Sequence, residues 1–114
     1  MTEANIGSIA IAVLKRHRTN TGSVALADMA YDNSIYIQTL TGETGLQSKY
    51  VPAIIALTAA DAIRRDAADE DVSLADFSYG GQSGHKAIDQ LETRANRILN
   101  KFTTRSVNWE KVNG

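Results

Sequence analysis

Apolar residues recur at three- and four-residue spacing in several separate stretches of the chain, and this pattern restricts the fold more than any other feature. Such spacing gathers apolar side chains on one face of an α-helix. The clearest stretch follows Ser48 and contains Pro52, the only proline, whose missing N–H group would have no partner in a first helical turn. We therefore predict a helix here, with an apolar face formed by Val51, Ile54, Ile55, Thr58, Ala59, Ala62 and Ile63.

Two stretches before it show the same spacing. Residues 6–17 form a helical stripe with Thr2 as its candidate N-cap, although their β-branched residues also permit a strand. A second helix is predicted from a cap at Ser23 to about Leu40, with Gly42 as its C-cap glycine. Its predicted inner face comprises Leu26, Met29, Ala30, Ile37 and Leu40.

The C-terminal half contains a strand signal and a last helix. Over residues 72–79 the period changes to two and a pair of glycines follows, so we predict one short strand or a small β-hairpin. Ser83 is the candidate cap of a helix that runs from about Gly84 to Phe102. The apolar stripe of this helix comprises Ile88, Leu91, Ala95, Ile98, Leu99 and Phe102.

These elements make up a mainly α fold in one domain. We predict a small bundle of about four helices within residues 1–103, with one short strand or β-hairpin before the last helix. Residues 104–114 are predicted to form an extended C-terminal tail. Many of the apolar residues are alanines, which bury little area each. The core is therefore expected to be thin and to be completed by contacts with neighbouring chains.

Composition argues against several classes of function. The formal net charge is −1, with 12 basic and 13 acidic residues, whereas a nucleic-acid binder needs a basic surplus on one face. Small basic clusters at residues 15–18 and 64–65 keep a regulatory nucleic-acid binder as an alternative. The absence of cysteine excludes disulfides and thiolate nucleophiles. A non-basic N-terminus and the lack of an apolar run of about 20 residues predict a soluble intracellular protein with no membrane partner.

Three groups of residues have partial features of chemical sites. The loop at 80–86 (GGQSGHK) opens a helix as a phosphate-binding loop does, but its lysine does not directly follow the last glycine. His17 and His85 lack the spacing of zinc ligands. The acidic run at 66–71 lacks the central glycine of a calcium loop. We therefore expect a glycine turn with a helix cap, two histidines that are solvated or partly packed, and a solvated helix end, with no enzyme activity, cofactor or metal.

Three aromatic residues raise the question of a partner. Trp109, the only tryptophan, lies in the polar tail beyond the predicted last helix. A large aromatic residue in such a tail either folds back on its own domain or anchors the tail in a partner, since tryptophan is enriched at binding hot spots. Phe77 and Tyr79 pose a similar choice, with packing in the core favoured.

Several short motifs follow one another in a distinctive order: residues 50–52 (YVP), the alanine-rich stretch 56–65, residues 71–81 (DVSLADFSYGG) and the helix end at 98–102 (ILNKF). These motifs and the order of the elements resemble the head–tail connector (adaptor) proteins of tailed bacteriophages. In that family an alanine-rich helix begins near a Tyr-x-Pro motif, and a tyrosine-containing strand segment that ends in glycine follows it. The resemblance covers residues 26–102, and the segment up to Arg18 departs from the pattern as a candidate extra helix or arm.

The resemblance implies a structural virion protein that acts through assembly and not through catalysis. It implies a homo-oligomeric ring, usually a dodecamer, that lies beneath the portal protein at the neck, extends the DNA channel and provides the docking platform for the tail or stopper protein. DNA would pass without sequence-specific binding, near channel-facing charges such as Lys86 or Arg94, and assembly would occur in the host cytoplasm. Another small helical interaction or regulatory protein is the alternative.

The resemblance also implies where partners would bind. The C-terminal tail of this family reaches into the portal, so the candidate portal-docking residues are Val107, Trp109 and Val112. Contacts between subunits or with the tail are expected at the strand segment, on Val72, Leu74, Phe77 and Tyr79. A short strand gains hydrogen bonds when it pairs with another chain, which makes such a contact favourable.

Overall fold

The structure, a computed structural model, describes the backbone of residues 3–113 and the side chains of residues 6–102. It is mainly helical, with a two-stranded antiparallel hairpin before the last helix, and this confirms the predicted fold class. None of the described helices is long and apolar enough to cross a membrane. In chain order the elements are α1 (Glu3–Arg16), α2 (Ser23–Thr41), a 3₁₀ turn (Ser48–Tyr50), α3 (Val51–Asp69), β1 (Ser78–Tyr79), β2 (Gln82–Ser83) and α4 (Gly84–Asn113).

Helix α3 forms the centre of the fold. Helices α1, α2 and α4 all pack against it, and α1 and α2 also pack against each other. Its alanines are small enough to let the neighbouring helices approach closely, and Ala53, Ala59, Ala60 and Ala62 are at most 1% exposed. The predicted apolar face of α3 is confirmed, and only Val51 of that set is partly exposed. The largest fully buried side chains around α3 are Val13, Leu26, Ile37, Ile54, Thr58 and Ile63.

The first segment is a helix and not a strand. Ile9, Ala10 and Val13 are buried at helical spacing, and their contacts with the core favour the helix over the strand that β-branched residues permit. Thr2, the predicted N-cap, lies outside the described residues.

Of the predicted capping residues that the structure describes, two are confirmed and one is wrong. Gly42 ends α2 in the left-handed conformation (φ 75°), and its N–H donates to the Gln38 carbonyl. The Ser83 hydroxyl accepts a hydrogen bond of 3.3 Å from the Lys86 N–H at the start of α4. Ser23, however, is the first residue of α2 and not its cap, because the extended backbone that begins the helix belongs to Gly22.

The strand is shorter than the predicted segment 72–79. The N–H groups of Asp76 and Phe77 both donate to the Ser73 carbonyl, at 3.0 and 2.9 Å, so the backbone turns there and cannot be extended. The strand begins only at Ser78, and Tyr79 pairs with Gln82 across the glycine turn. A hairpin was one of the two predicted forms, and the observed one has two residues in each strand.

Helix α4 is longer than predicted. Its backbone continues past Phe102 to Asn113, whereas an extended tail was predicted over residues 104–114. Between Phe102 and Asn113 the sequence contains neither proline nor glycine, so no residue there breaks the helix.

Substitution of two glycines by alanine is expected to have opposite effects on stability. A Cβ at Gly84 would lie 3.0 Å from the Leu74 carbonyl oxygen, which also accepts a hydrogen bond from His85 N and therefore cannot move freely. Gly84→Ala should lower the free energy of unfolding by about 1–2 kcal/mol. Gly7, within α1, has open space around it, and Gly7→Ala should raise the free energy by about 0.5–1 kcal/mol. Urea denaturation of both variants measures the two changes in the free energy of unfolding. Changes of the same sign would contradict this prediction.

Candidate functional site

The buried carboxylate of Asp66 joins α3 to the loop between α1 and α2. It accepts hydrogen bonds from the Thr19 hydroxyl at 2.6 Å, the Thr21 hydroxyl at 2.9 Å and the Asn20 N–H at 3.2 Å. Asp66 is 4% exposed, so the prediction of a solvated helix end is wrong for this residue. The reason is that the loop supplies three donors, which compensate the carboxylate for the water it loses. Asp66 is therefore a structural anchor for residues 19–21.

His17 connects the end of α1 to the hairpin. Its Nδ1 lies 3.1 Å from the Tyr79 hydroxyl, and both side chains are half-buried. Burial lowers the pKa of His17, and the nearby charges of Arg94 and Arg16 lower it further. Burial raises the pKa of Tyr79, so its phenol keeps its proton near neutral pH. His85, in contrast, is exposed in the first turn of α4.

Lower pH is expected to weaken the fold through His17. Because its pKa is lower in the folded chain than the usual 6.5, the unfolded chain takes up the proton more readily. The stability that His17 contributes is present above the unfolded pKa and is lost as the pH falls through the folded pKa. Wild type should therefore lose more unfolding free energy than His17→Gln between about pH 7.5 and about pH 5. Parallel urea titrations measure this difference, and equal losses would contradict the assignment.

The predicted contact residues at 72–79 are partly buried within the domain. Leu74, Phe77 and Tyr79 pack against the core, and Val72 is also half-buried. The segment is tied to α4 by hydrogen bonds from Gly84 N to the Phe77 carbonyl and from His85 N to the Leu74 carbonyl. Core packing, the favoured alternative for Phe77 and Tyr79, is thus confirmed, while a contact of the remaining exposed surface with another chain stays a prediction.

A cleft of about 260 Å³ lies between this segment and the loop after α1. Arg18, Asn20, Glu70, Asp76 and Tyr79 contribute to its lining. Within the described part of the chain, no three histidine, aspartate or glutamate side chains are placed to hold a metal ion. The glycine loop at 80–86 is not part of this lining. Its Gly80 and Gly81 have positive φ angles of 57° and 82° and form the hairpin turn.

The resemblance-bearing motifs at 50–52 and 98–102 meet in the structure. Tyr50 is 3% exposed, and its ring lies edge-to-face on Phe102 with centroids 5.5 Å apart. The Lys49 ammonium lies 5.2 Å and 5.0 Å from the two ring centroids and 2.9 Å from the Glu43 carboxylate. This cluster fixes the start of α3 against α4.

A polar network joins α3 to the helices on either side of it. Arg64 forms ion pairs with Asp61 at 3.2 Å and with Glu92 of α4 at 2.8 Å. The Asn33 amide of α2 donates to both Thr58 and Asp61 at 3.1 Å. Asn33, Asp61 and Glu92 line an open groove, and their polar groups bind one another or Arg64 within the chain. These contacts hold α2 and α4 in position beside α3.

The outer face of α2 carries exposed apolar and acidic side chains. Val24, Tyr31 and Ile35 are 77%, 55% and 43% exposed, and Asp28 and Asp32 lie among them without an ion pair to any side chain that the structure describes. Since a helix turns by about 100° per residue, all five lie within about a third of its circumference, opposite the buried Leu26, Ala30 and Ile37. We call these five residues the acidic–apolar stripe.

The outer face of α4 carries cations. These residues are exposed and, among residues 6–102, form no ion pair: Lys86, Arg94, Arg97 and Lys101. Their spacing of eight, three and four residues places them along one side of the helix over about 22 Å. We call them the basic stripe. The charges of Arg94 and Arg16 both act on His17, so the basic end of α1 at residues 15–18 adjoins the stripe.

The two stripes lie on two separate helices, α2 and α4. Helices α2 and α4 both pack on α3 and make little contact with each other, and each stripe points away from the residues that its helix buries. Sequence reasoning missed the acidic–apolar stripe, because the search for apolar residues sought the core face of each helix. The signal was present in Val24, Tyr31 and Ile35, which recur at seven and four residues on a second face.

The predicted portal-docking residues Val107, Trp109 and Val112 lie outside the residues whose side chains the structure describes. Their role stays a prediction. Comparison of the chain with protein-family models, curated proteins and solved structures gives no match.

Proposed function

We propose that this chain is a structural subunit of the head–tail connector of a tailed bacteriophage. In this role it forms a ring beneath the portal, extends the DNA channel and provides the docking platform for the tail or stopper protein. The observation that carries the proposal is the joint packing of the family-like motifs: Tyr50 of the Tyr-x-Pro motif contacts Phe102 at the end of the ILNKF motif. Tyr79 lies in a glycine-ended strand between the alanine-rich α3 and the long α4.

The surfaces of the domain support an assembly role. The acidic–apolar stripe exposes three large apolar side chains along one helix, which is typical of a surface that another chain covers. A ring is built from heterologous contacts, in which one face of a subunit binds a different face of the next. A subunit that carries two different surfaces on two helices meets this requirement, and a chain that works by such contacts needs no catalytic group.

The proposal assigns each part of the chain a geometric task. The helical core holds α2 and α4 so that their outer faces meet neighbouring subunits. Val107, Trp109 and Val112, at the C-terminal end, would anchor the subunit in the portal, since a tryptophan that enters a pocket contributes strongly to binding. The hairpin segment would present its exposed edge to a neighbouring subunit or to the tail.

Localisation in purified particles tests the proposal directly. Gold-labelled antibody raised against this chain is expected to bind at the neck, between head and tail. Antibody absorbed beforehand with the pure chain provides the control for specificity. Mass spectrometry of the same particles should detect the chain together with the portal protein. Its absence from intact particles would overturn the connector assignment.

Nucleic-acid binding is the second candidate, and the basic stripe is the observation that favours it. Four cations along one helix, which form no ion pair within residues 6–102, lie next to the basic end of α1 and form an electrostatic footprint that fits a phosphate backbone. This candidate would be supported if the affinity for duplex DNA falls steeply as the salt concentration rises. Replacement of Arg94 and Arg97 by glutamine should then make this dependence on salt less steep. Absence of measurable binding at low salt would exclude it.

A further inference from the structure

We infer that the acidic–apolar stripe on α2 binds the basic stripe on α4 of a second copy of this chain. The inference rests on the proposed function in one respect, since a ring needs a contact that repeats from subunit to subunit. It goes further in naming the two faces that form this contact. Each copy would present its α2 face to one neighbour and its α4 face to the other.

Charge complementarity selects this pairing of faces. Asp28 and Asp32 are unpaired within the described part of the chain, and so are Arg94 and Arg97. Both pairs are exposed on regular helices at three- or four-residue spacing, so one pair can face the other across two packed helices. Opposite charges at matched spacing favour a defined register over a non-specific contact.

The apolar members of the stripe have matching partners in the basic stripe. The Tyr31 ring is more than half exposed, and an arginine guanidinium stacks favourably on such a ring. The aliphatic stems of Arg94, Arg97 and Lys101 can cover Val24 and Ile35 while their charged ends remain near Asp28 and Asp32. Tyrosine and arginine are also enriched at the centres of protein interfaces.

A symmetric contact between two acidic–apolar stripes is disfavoured. About a twofold axis the same surface patch of the two copies meets, so Asp28 and Asp32 of one copy would face the patch that carries Asp28 and Asp32 in the other. Like charges repel across an interface, and no basic residue of α2 offsets them, since the helix contains none. The contact between α2 and α4 avoids this repulsion and, because its two faces differ, leaves each copy free to bind another.

Charge reversal of the full chain tests the inference. Sedimentation velocity at low and moderate salt should show concentration-dependent self-association of the wild type. The variant Asp28→Arg/Asp32→Arg and the variant Arg94→Asp/Arg97→Asp should each lower the association constant by about 100-fold. The control Asp69→Arg/Glu70→Arg makes the same change in charge as the first variant, at exposed positions outside both stripes, and it should leave the association constant within about threefold.

Two combinations provide the decisive measurements. The chain that carries both reversals restores opposite charges across the contact, so it should recover self-association to within about tenfold of wild type. An equimolar mixture of the two single-face variants should also assemble, because each reversed face meets a complementary face on the other chain. Failure of both to recover association, with circular dichroism of the variants unchanged, would overturn the inference. So would a wild type that remains monomeric at every concentration.

The outcomes also separate this inference from the proposed function and from DNA binding. If antibody marks the neck while charge reversal leaves association unchanged, the connector role stands and the assignment of faces fails. If the variants behave as expected but particles lack the chain, the contact stands and the connector role fails. If Arg94→Asp/Arg97→Asp abolishes salt-sensitive DNA binding without changing self-association, the basic stripe is a nucleic-acid surface and the inference fails.

Discussion

Replacement of Asp66 by alanine is expected to lower the free energy of unfolding by about 3 kcal/mol. The carboxylate accepts hydrogen bonds from Thr19, Asn20 and Thr21, and it is 4% exposed. Its removal leaves three donors without their acceptor, and the Thr21 hydroxyl is itself buried. Hydrogen bonds to a charged group contribute more than those between neutral groups, so the loss exceeds that of an ordinary polar contact. Urea denaturation followed by circular dichroism measures it.

A neighbouring aspartate provides the matched control. Asp69 lies on the same helix, its side chain is 68% exposed, and its carboxylate is 3.9 Å from the Arg65 guanidinium. Asp69→Ala should change the free energy of unfolding by less than about 0.5 kcal/mol, because an exposed ion pair contributes little. Asp66→Asn should lower the free energy of unfolding by an intermediate amount, because the new amide nitrogen is a donor and would face a donor of the loop. Losses of equal size for Asp66→Ala and Asp69→Ala would show that the loop is not held by this carboxylate.

Replacement of Leu26 by alanine is expected to cost about 3 kcal/mol of unfolding free energy. Leu26 is fully buried in α2 and is among the largest side chains of the core. The surrounding helices are held by many other contacts and cannot close the space that a shortened side chain would leave. Thermal or urea unfolding at a low protein concentration measures the loss.

Leu40 is the natural control for this substitution. It is the same residue type on the same helix, and the periodicity of the sequence placed it on the same face as Leu26, but it is 51% exposed. Leu40→Ala should therefore cost less than about 0.5 kcal/mol. A loss as large as that of Leu26→Ala would mean that the end of α2 is covered by the domain. In that case the periodicity, and not the observed exposure, would describe this part of the helix.

The candidate surfaces were harder to predict than the helices. The sequence shows the cations of the basic stripe, and the resemblance names Lys86 and Arg94 as channel-facing charges, but the structure shows that all four cations are exposed on one side of α4. The acidic–apolar stripe was missed. Whether an exposed face is free depends on which helices cover which others, and a helix pattern alone does not contain this information.

The sequence by itself determined the last three helical segments and most of their ends, because spacing, a capping serine at 83 and a glycine at 42 act within a few residues along the chain. It left residues 6–17 open between helix and strand, and the structure shows a helix there. It also determined that a turn follows Tyr79, since two adjacent glycines adopt positive φ. Only the tertiary structure decided that Asp66 is buried and Leu40 exposed. Asp66 depends on donors 45 to 47 residues away. The exposure of Leu40 depends on which part of α2 the neighbouring helices cover. Such long-range contacts are set by the packing of whole helices, which local patterns do not specify.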